Sequence, residues 1–234
     1  MSCRSIASLG LLAGLALTWF ASPASGFRGG APSGFTGSPG DGAFSCNFCH
    51  TEPPGSGLVQ ILGVPGAYQP GRLYTLTVRV SDPEKFGAGF QITAENAEDE
   101  KVGGFEIIDP NTLYADGLTP WVTHSAEGVD NSAQHWSSMG GAFEFKVGWR
   151  PSAGSTAGPI TFYAAGNAIN NDQFHTGDRI YFASETTEYG GCLWDLNGDG
   201  RIDSIDLTTL LQSWGDPYGA AELGEMLGSW GPCP

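Results

Sequence analysis

The chain has 234 residues, with 25 acidic against 10 basic side chains and a formal net charge of −15. That balance opposes a phosphate-tracking groove, so no nucleic acid partner is expected. The 36 glycines and 15 prolines favour turns and strands over helices, and the length allows one domain of ordinary size plus a small appendage.

Residues 1–26 read as a secretory signal peptide: Arg4 gives a positive start, residues 8–20 an apolar run, and Ala24 and Gly26 small residues at the cleavage positions. No later run approaches the roughly 18 apolar residues of a membrane span, so no transmembrane segment is expected once the signal is removed. The expected location is exported: periplasmic, cell-surface or extracellular. Cys3 leaves with the signal, while Cys46, Cys49, Cys192 and Cys233 remain. An even number suits disulfides or covalently held cofactors outside the cytoplasm.

Residues 27–57 are rich in Gly, Pro and Ser, with almost no apolar periodicity, and cannot build a core of their own. If the strip is ordered, something other than hydrophobic packing must order it, and a buried covalent cofactor would serve. Within it, AFSCNFCHTE supplies Cys46, Cys49 and His50. Two thiols at this spacing, followed directly by a histidine, form the C-x-x-C-H attachment motif of haem c. A Cys46–Cys49 disulfide or redox dithiol is the plain alternative, and zinc would need one further ligand. If haem binds, His124, His135, Met139 and His175 are candidates for the sixth iron position. His124 is favoured, because it ends a predicted strand and would project from a rigid edge.

From residue 58 to 189 the pattern becomes short alternating runs. Tyr74, Leu76, Val78 and Val80 share one face of LYTLTVRV; Phe143, Phe145, Val147 and Trp149 share one face of AFEFKVGW. With AGFQITA and further strands predicted at 58–63, 104–108, 120–124, 159–165 and 179–187, seven or eight strands without intervening helices predict an antiparallel β-sandwich. AENAEDEK, residues 94–101, reads as an exposed acidic turn. Trp121, Trp136 and Trp149 are expected to pack rather than to form a sugar platform. No catalytic constellation is evident.

Residues 190–234 form a separate unit. In DLNGDGRIDSID, oxygen-bearing side chains fall at loop positions 1, 3, 5, 9 and 12: Asp195, Asn197, Asp199, Asp203 and Asp206. Arg201 at position 7 offers its carbonyl, Gly200 allows the sharp turn and Ile202 anchors the loop, a pattern that selects calcium. Two amphipathic helices follow, with stripes Leu207, Leu210, Leu211, Trp214 and Leu223, Met226, Leu227, Trp230. LLQSWG and MLGSWG are visibly copies, and a Cys192–Cys233 disulfide would bracket the pair.

Residues 190–231 resemble the dockerin type I module, which implies docking onto a cohesin. The resemblance is incomplete: YGGCLW makes a poor entering helix, position 12 is Asp, and GDPYGAAE lacks a second ligand set, so one calcium site is expected. GAYQPGRLYTLTVRV, GFQITA and GPITFYAAGNAINNDQFHTGDRIYFAS resemble the Reeler-type domain of bacterial exported proteins of the choice-of-anchor V kind. That resemblance covers about residues 34–187 and implies an immunoglobulin-like β-sandwich outside the cell. The functional expectation is a haem c-bearing surface protein acting in electron transfer or redox sensing with a redox partner protein. The alternatives are a non-catalytic adhesion or polysaccharide-binding protein and a dockerin-bearing accessory of polysaccharide degradation, with a cohesin-like or surface polysaccharide partner.

Overall fold

The computed structural model describes residues 27–152, 158–190, 193–215 and 217–233. The predicted signal peptide and Cys192 lie outside the described residues. In chain order the strands are β1 (Leu58–Leu62), β2 (Ala67–Tyr68), β3 (Tyr74–Ser81), β4 (Gly87–Glu95), β5 (Gly104–Glu106), β6 (Thr112–Tyr114), β7 (Val122–His124), β8 (Ala142–Arg150), β9 (Ile160–Ile169), β10 (Arg179–Tyr189), β11 (Arg201–Ile202) and β12 (Gly231–Pro232). The helices are α1 (Ala126–His135), α2 (Ser204–Gln212) and α3 (Ala220–Gly228). The fold is mainly β.

Two sheets face each other. One has the order β1-β3-β8-β5, the other β2-β10-β9-β4-β7-β6. All pairings within them are antiparallel except β2 with β10. The predicted alternation places its apolar residues between the sheets: Leu76, Val78, Phe145, Val147 and Trp149 are fully buried. Aromatic contacts join the two layers. Phe90 of β4 stacks on Phe145 of β8 at 4.5 Å, and Trp149 meets Phe162 of β9 edge-on at 4.8 Å. Trp136 is also buried, as expected of a packing residue.

The outer face of β4 departs from the usual pattern. Gln91, Thr93 and Glu95 alternate with the core residues and read as solvent-facing, yet all nine residues of the strand are buried. The cover is the Gly/Pro-rich strip, held by polar contacts. Phe35 N–H donates to Gln91 Oε1 (2.7 Å), and Gln91 Nε2 donates to the Pro32 carbonyl (2.6 Å). Ala31 N–H donates to Thr123 Oγ1 (3.2 Å). Glu95 accepts from Ser38 Oγ (2.5 Å) and Gly40 N–H (3.1 Å) and pairs with Lys101, which also contacts Asp41 (2.6 Å). Trp121 Nε1 donates to Asp41 at 3.0 Å. Farther along, Glu52 pairs with Lys85 and Arg179, both at 3.0 Å.

As expected of a strip without apolar periodicity, what holds it is not hydrophobic packing: hydrogen bonds and ion pairs tie it to the sheet. Two expectations are corrected here. AENAEDEK is not wholly an exposed turn, since Glu95 is an interior anchor. The second correction is α1, a helix inside the sandwich region where none was expected. Ser125 caps it by accepting from Gly128 N–H, and only Val129, Gly128 and Ser132 are buried along it. Its sequence carries too few apolar residues for a helical stripe to stand out.

The C-terminal unit has a small core of Trp194, Leu196, Ile202, Leu210 and Met226. Asp203 caps α2, and Asp206 answers by accepting from the Asp203 N–H (2.8 Å), a capping box. Pairing of β11 with β12 and a bond from Cys233 N–H to the Gly200 carbonyl (2.9 Å) tie the chain's last residues to the acidic loop. Cys233 is disulfide-bonded. The helix stripes are narrower than expected: Leu210 and Met226 are buried, but Leu211, Trp214, Leu227 and Trp230 are about half exposed (49, 49, 52 and 47%). One residue along a helix turns about 100°, so Leu211 and Leu227 cannot share the inward face with the residue before them.

Candidate functional site

Cys46 to Phe48 form a single 3₁₀ turn, continued by a bond from His50 N–H to the Cys46 carbonyl (3.1 Å). Helical residues three and four apart lie on one side, so the turn presents Cys46, Cys49 and His50 together. All three line a cavity of 460 Å³, within the range of small-molecule and cofactor sites. Its walls include Phe27, Phe35, Val129, Ile169 and Phe174. Both cysteines are free thiols. The Cys46 sulfur lies 3.5 Å from the Phe35 carbonyl, and burial pushes its thiol up to about 12. A thiol so disfavoured as thiolate is a poor redox nucleophile.

His50 sits between two polar groups. Its Nδ1 lies 3.1 Å from Asp178 Oδ2, a close contact whose angle falls short of a hydrogen bond. Its Nε2 lies 3.5 Å from Asn167 Nδ2, a cavity residue whose Oδ1 is buried without a hydrogen-bond partner. Asp178 is aimed by the β9–β10 loop, where its Oδ1 accepts from Asn170 N–H at 2.9 Å. In the same loop Asn171 and Gln173, both lining the cavity, have φ of 64° and 72°. Asparagine tolerates that region; glutamine does so at a cost, a form of strain that gathers at functional loops.

His124, at the end of β7, lines the same cavity. Its Nδ1 accepts from Phe90 N–H (3.1 Å), which leaves Nε2 to donate to the Phe27 carbonyl (2.9 Å). Burial holds its pKa below the ordinary histidine value, although the Phe27 carbonyl and the Phe90 carbonyl, 3.3 Å from Nδ1, act the other way. Accepting at Nδ1 while donating at Nε2 is the arrangement of a neutral imidazole, the form that ligates metals. Gly89 makes room for it: a Cβ there would stand 2.8 Å from the His124 ring. Phe27 and Arg28, which pairs with Asp130 of α1, close this side of the cavity.

The other sequence candidates lie elsewhere. His135 is exposed on α1 and Met139 is 40% exposed, and neither lines the cavity. The His175 ring stands 6.4 Å from that of His50, edge to face, outside the cavity lining. Asp178, Asn167 and Gly89 were not foreseen. The one available cue for Asp178 was its place in the Thr176-Gly177-Asp178 turn.

The acidic loop turns its side chains onto its own backbone. Asp195 accepts from the N–H groups of Gly198 (2.8 Å), Asp199 (3.0 Å) and Gly200 (2.7 Å). Asp206 accepts from Leu196 (2.7 Å) and Asn197 (3.1 Å), and Asn197 and Asp199 join at 3.0 Å. Asp203 serves as the α2 cap, and Arg201 is exposed on β11. Gly200 takes the left-handed φ of 84° expected of the sharp turn, and Ile202 is buried. Burial, and the charge of Asp206, raise the Asp195 carboxyl above its ordinary value despite the three amides. Among the described residues no three His, Cys, Asp or Glu side chains are gathered as a metal cluster.

No protein-family model and no curated protein matches the chain. Among solved structures, it is similar to the human F-spondin reeler domain at 20% identity, over 59% of this chain and 91% of that one, with a TM-score of 0.39. A Reelin-N domain of F-spondin matches at 20% identity, over 59% of this chain and 90% of that one, with a TM-score of 0.37. A conjugative transposon lipoprotein from Bacteroides eggerthii matches at 12% identity, over 56% and 95%, with a TM-score of 0.31. Among the described residues no helix is long and apolar enough to cross a membrane.

Proposed function

We propose that the chain is an exported surface protein that carries one haem c, for electron transfer or redox sensing, on a Reeler-type sandwich with a calcium-stabilised, dockerin-like tail. One observation carries the haem reading: Cys46, Cys49, His50 and His124, drawn from the strip and from β7, line a single cavity with largely apolar walls. The donor set fits the group. Cys46 and Cys49 would hold it through sulfur, and His50, with Nδ1 turned to Asp178, offers Nε2 to the cavity. When bound, haem supplies a one-electron couple whose potential follows its ligands and burial. To serve as the sixth ligand His124 would have to give up the Phe27 carbonyl, so the closing segment would govern whether protein fills that position.

The test is the absorbance spectrum of protein made with haem-attachment machinery, together with the mass of the peptide bearing Cys46 and Cys49. A Soret band and a haem-mass adduct are expected; an unmodified peptide without the band refutes the reading. For the tail, the spacing from Asp195 to Asp206, the left-handed Gly200 and the buried Ile202 support one calcium ion.

A second reading concerns the tail as a docking module. Trp214 and Trp230, each two residues beyond the end of α2 and α3, are about half exposed with Leu211 and Leu227. Such aromatics suit a cohesin-like or polysaccharide partner. Loss of binding to isolated cell-wall polysaccharide or to cohesin in W214A/W230A is expected if this holds, and absence of binding by the unaltered protein refutes it.

A further inference from the structure

We propose that Asp178 is a positioning residue for His50: its carboxylate, 3.1 Å from Nδ1 though outside hydrogen-bond geometry in the haem-free chain, favours the proton on that nitrogen, leaves Nε2 to the cavity and, by its charge, favours the ferric state of a haem bound there. The proposal rests on the haem reading above. Asp178 is fixed before any cofactor arrives. Its side chain is 3% exposed, Oδ1 is taken by Asn170 N–H at 2.9 Å, and Oδ2 is left 3.1 Å from His50 Nδ1.

Among the described residues no lysine or arginine pairs with this carboxylate. The adjacent Arg179 is turned to Glu52, Asp82 and Glu84. A buried carboxylate that no lysine or arginine offsets is costly, and a cation bound on the far side of the His50 ring would offset it. A carboxylate at the outer nitrogen of a ligating histidine fixes the tautomer and raises the basicity of the inner nitrogen. A more basic ligand and a nearby negative charge both stabilise the more positive iron, which lowers the potential.

The discriminating variant is Asp178→Asn. Its carbonyl would keep the Asn170 N–H, which turns the amide nitrogen, a donor, toward His50 Nδ1. The polarity at that atom is reversed with little change in shape. In haem-loaded protein the ratio of ferrous to ferric haem at a fixed ambient potential should rise at least tenfold, a midpoint about 59 mV higher. In haem-free protein, 15N shifts of the imidazole should report the proton of His50 on Nδ1 in the unaltered chain and on Nε2 in D178N.

The measurement on the unaltered chain stands even where D178N fails to fold. Potentials that agree within twofold in that ratio, or an Nε2 proton in the unaltered haem-free chain, overturn the role of Asp178 while the haem reading stands. Failure of the unaltered chain to take up haem overturns both.

Discussion

Replacing Glu95 with alanine should lift the strip around residues 37–43 from the sheet while leaving the sandwich folded. The carboxylate is 1% exposed and takes Ser38 Oγ at 2.5 Å, Gly40 N–H at 3.1 Å and the Lys101 ammonium. Hydrogen bonds to charged groups contribute about 1.5 to 3 kcal/mol each, so three of them set an upper bound of roughly 5 to 9 kcal/mol. Two effects lower it. Lys101 keeps Asp41 as a partner at 2.6 Å, and water can solvate Ser38 and Gly40 once the strip moves. What remains is about 3 to 5 kcal/mol, the cost of removing one partner from a buried pair.

The groups left unpaired belong mostly to the strip, so the loss is local. Native-state hydrogen exchange separates local from global loss. The amides of Gly37, Gly42 and Ala43, bonded within the strip to Phe44, Pro39 and Ser38, should exchange about a hundredfold to a few thousandfold faster, since each 1.4 kcal/mol is tenfold. Amides of β3 and β8 should be nearly unaffected, and E95Q should fall between. Unchanged exchange at Gly37, Gly42 and Ala43, or an equal loss in β3 and β8, refutes the reasoning.

Acid should release the same strip. Burial alone raises the Asp41 carboxyl, but Lys101, Thr36 and Trp121 outweigh it and hold the pKa below the ordinary value. A depressed carboxylate stabilises fully above its unfolded pKa, about 3.9, and the contribution is lost as pH falls from there through the folded value. Protection of the strip amides should therefore decline below about pH 4, and D41N should remove that part of the pH dependence. In the acidic loop, D195A should lower thermal stability with or without calcium, because Asp195 satisfies three backbone amides. D199A removes an exposed carboxylate that, among the described residues, bonds only Arg201 N–H and Asn197, and should lower thermal stability in calcium alone. A hundredfold excess of calcium over its dissociation constant adds about 2.7 kcal/mol, and equal melting with and without calcium in the unaltered chain refutes the site. G89A places a Cβ 2.8 Å from the His124 ring and should displace it. The expected result is loss of a histidine sixth-ligand signature in the haem spectrum, and an unchanged signature removes His124 from that position.

The parts of the fold that were legible in the sequence are those where one side of a strand meets oil and the other water. Tyr74–Ser81 and Ala142–Arg150 alternate cleanly and form strands within those bounds. Helix α1 was not legible, since AEGVDNSAQH buries only one large apolar side chain and shows no stripe. Gln91 and Glu95 look like surface residues in any local pattern, because a polar side chain facing water and one facing a covering backbone are the same letters. The cavity is partly legible for a related reason. C-x-x-C-H announces itself by spacing, and the strand-end position of His124 singles it out, whereas Asp178 and Asn167 join them only through the pairing of β9 with β10 and the loop between them.

The polar outer face of β4 also bears on the order of assembly. A sheet surface of Gln91, Thr93 and Glu95 is compatible with water, so the sandwich can close around Phe90, Phe145 and Trp149 while residues 27–57 are still loose. Nothing in the apolar interior waits for the strip to arrive. The stretch bearing Cys46, Cys49 and His50 is therefore free to remain extended after the rest of the molecule has folded, and its docking then becomes the closing step.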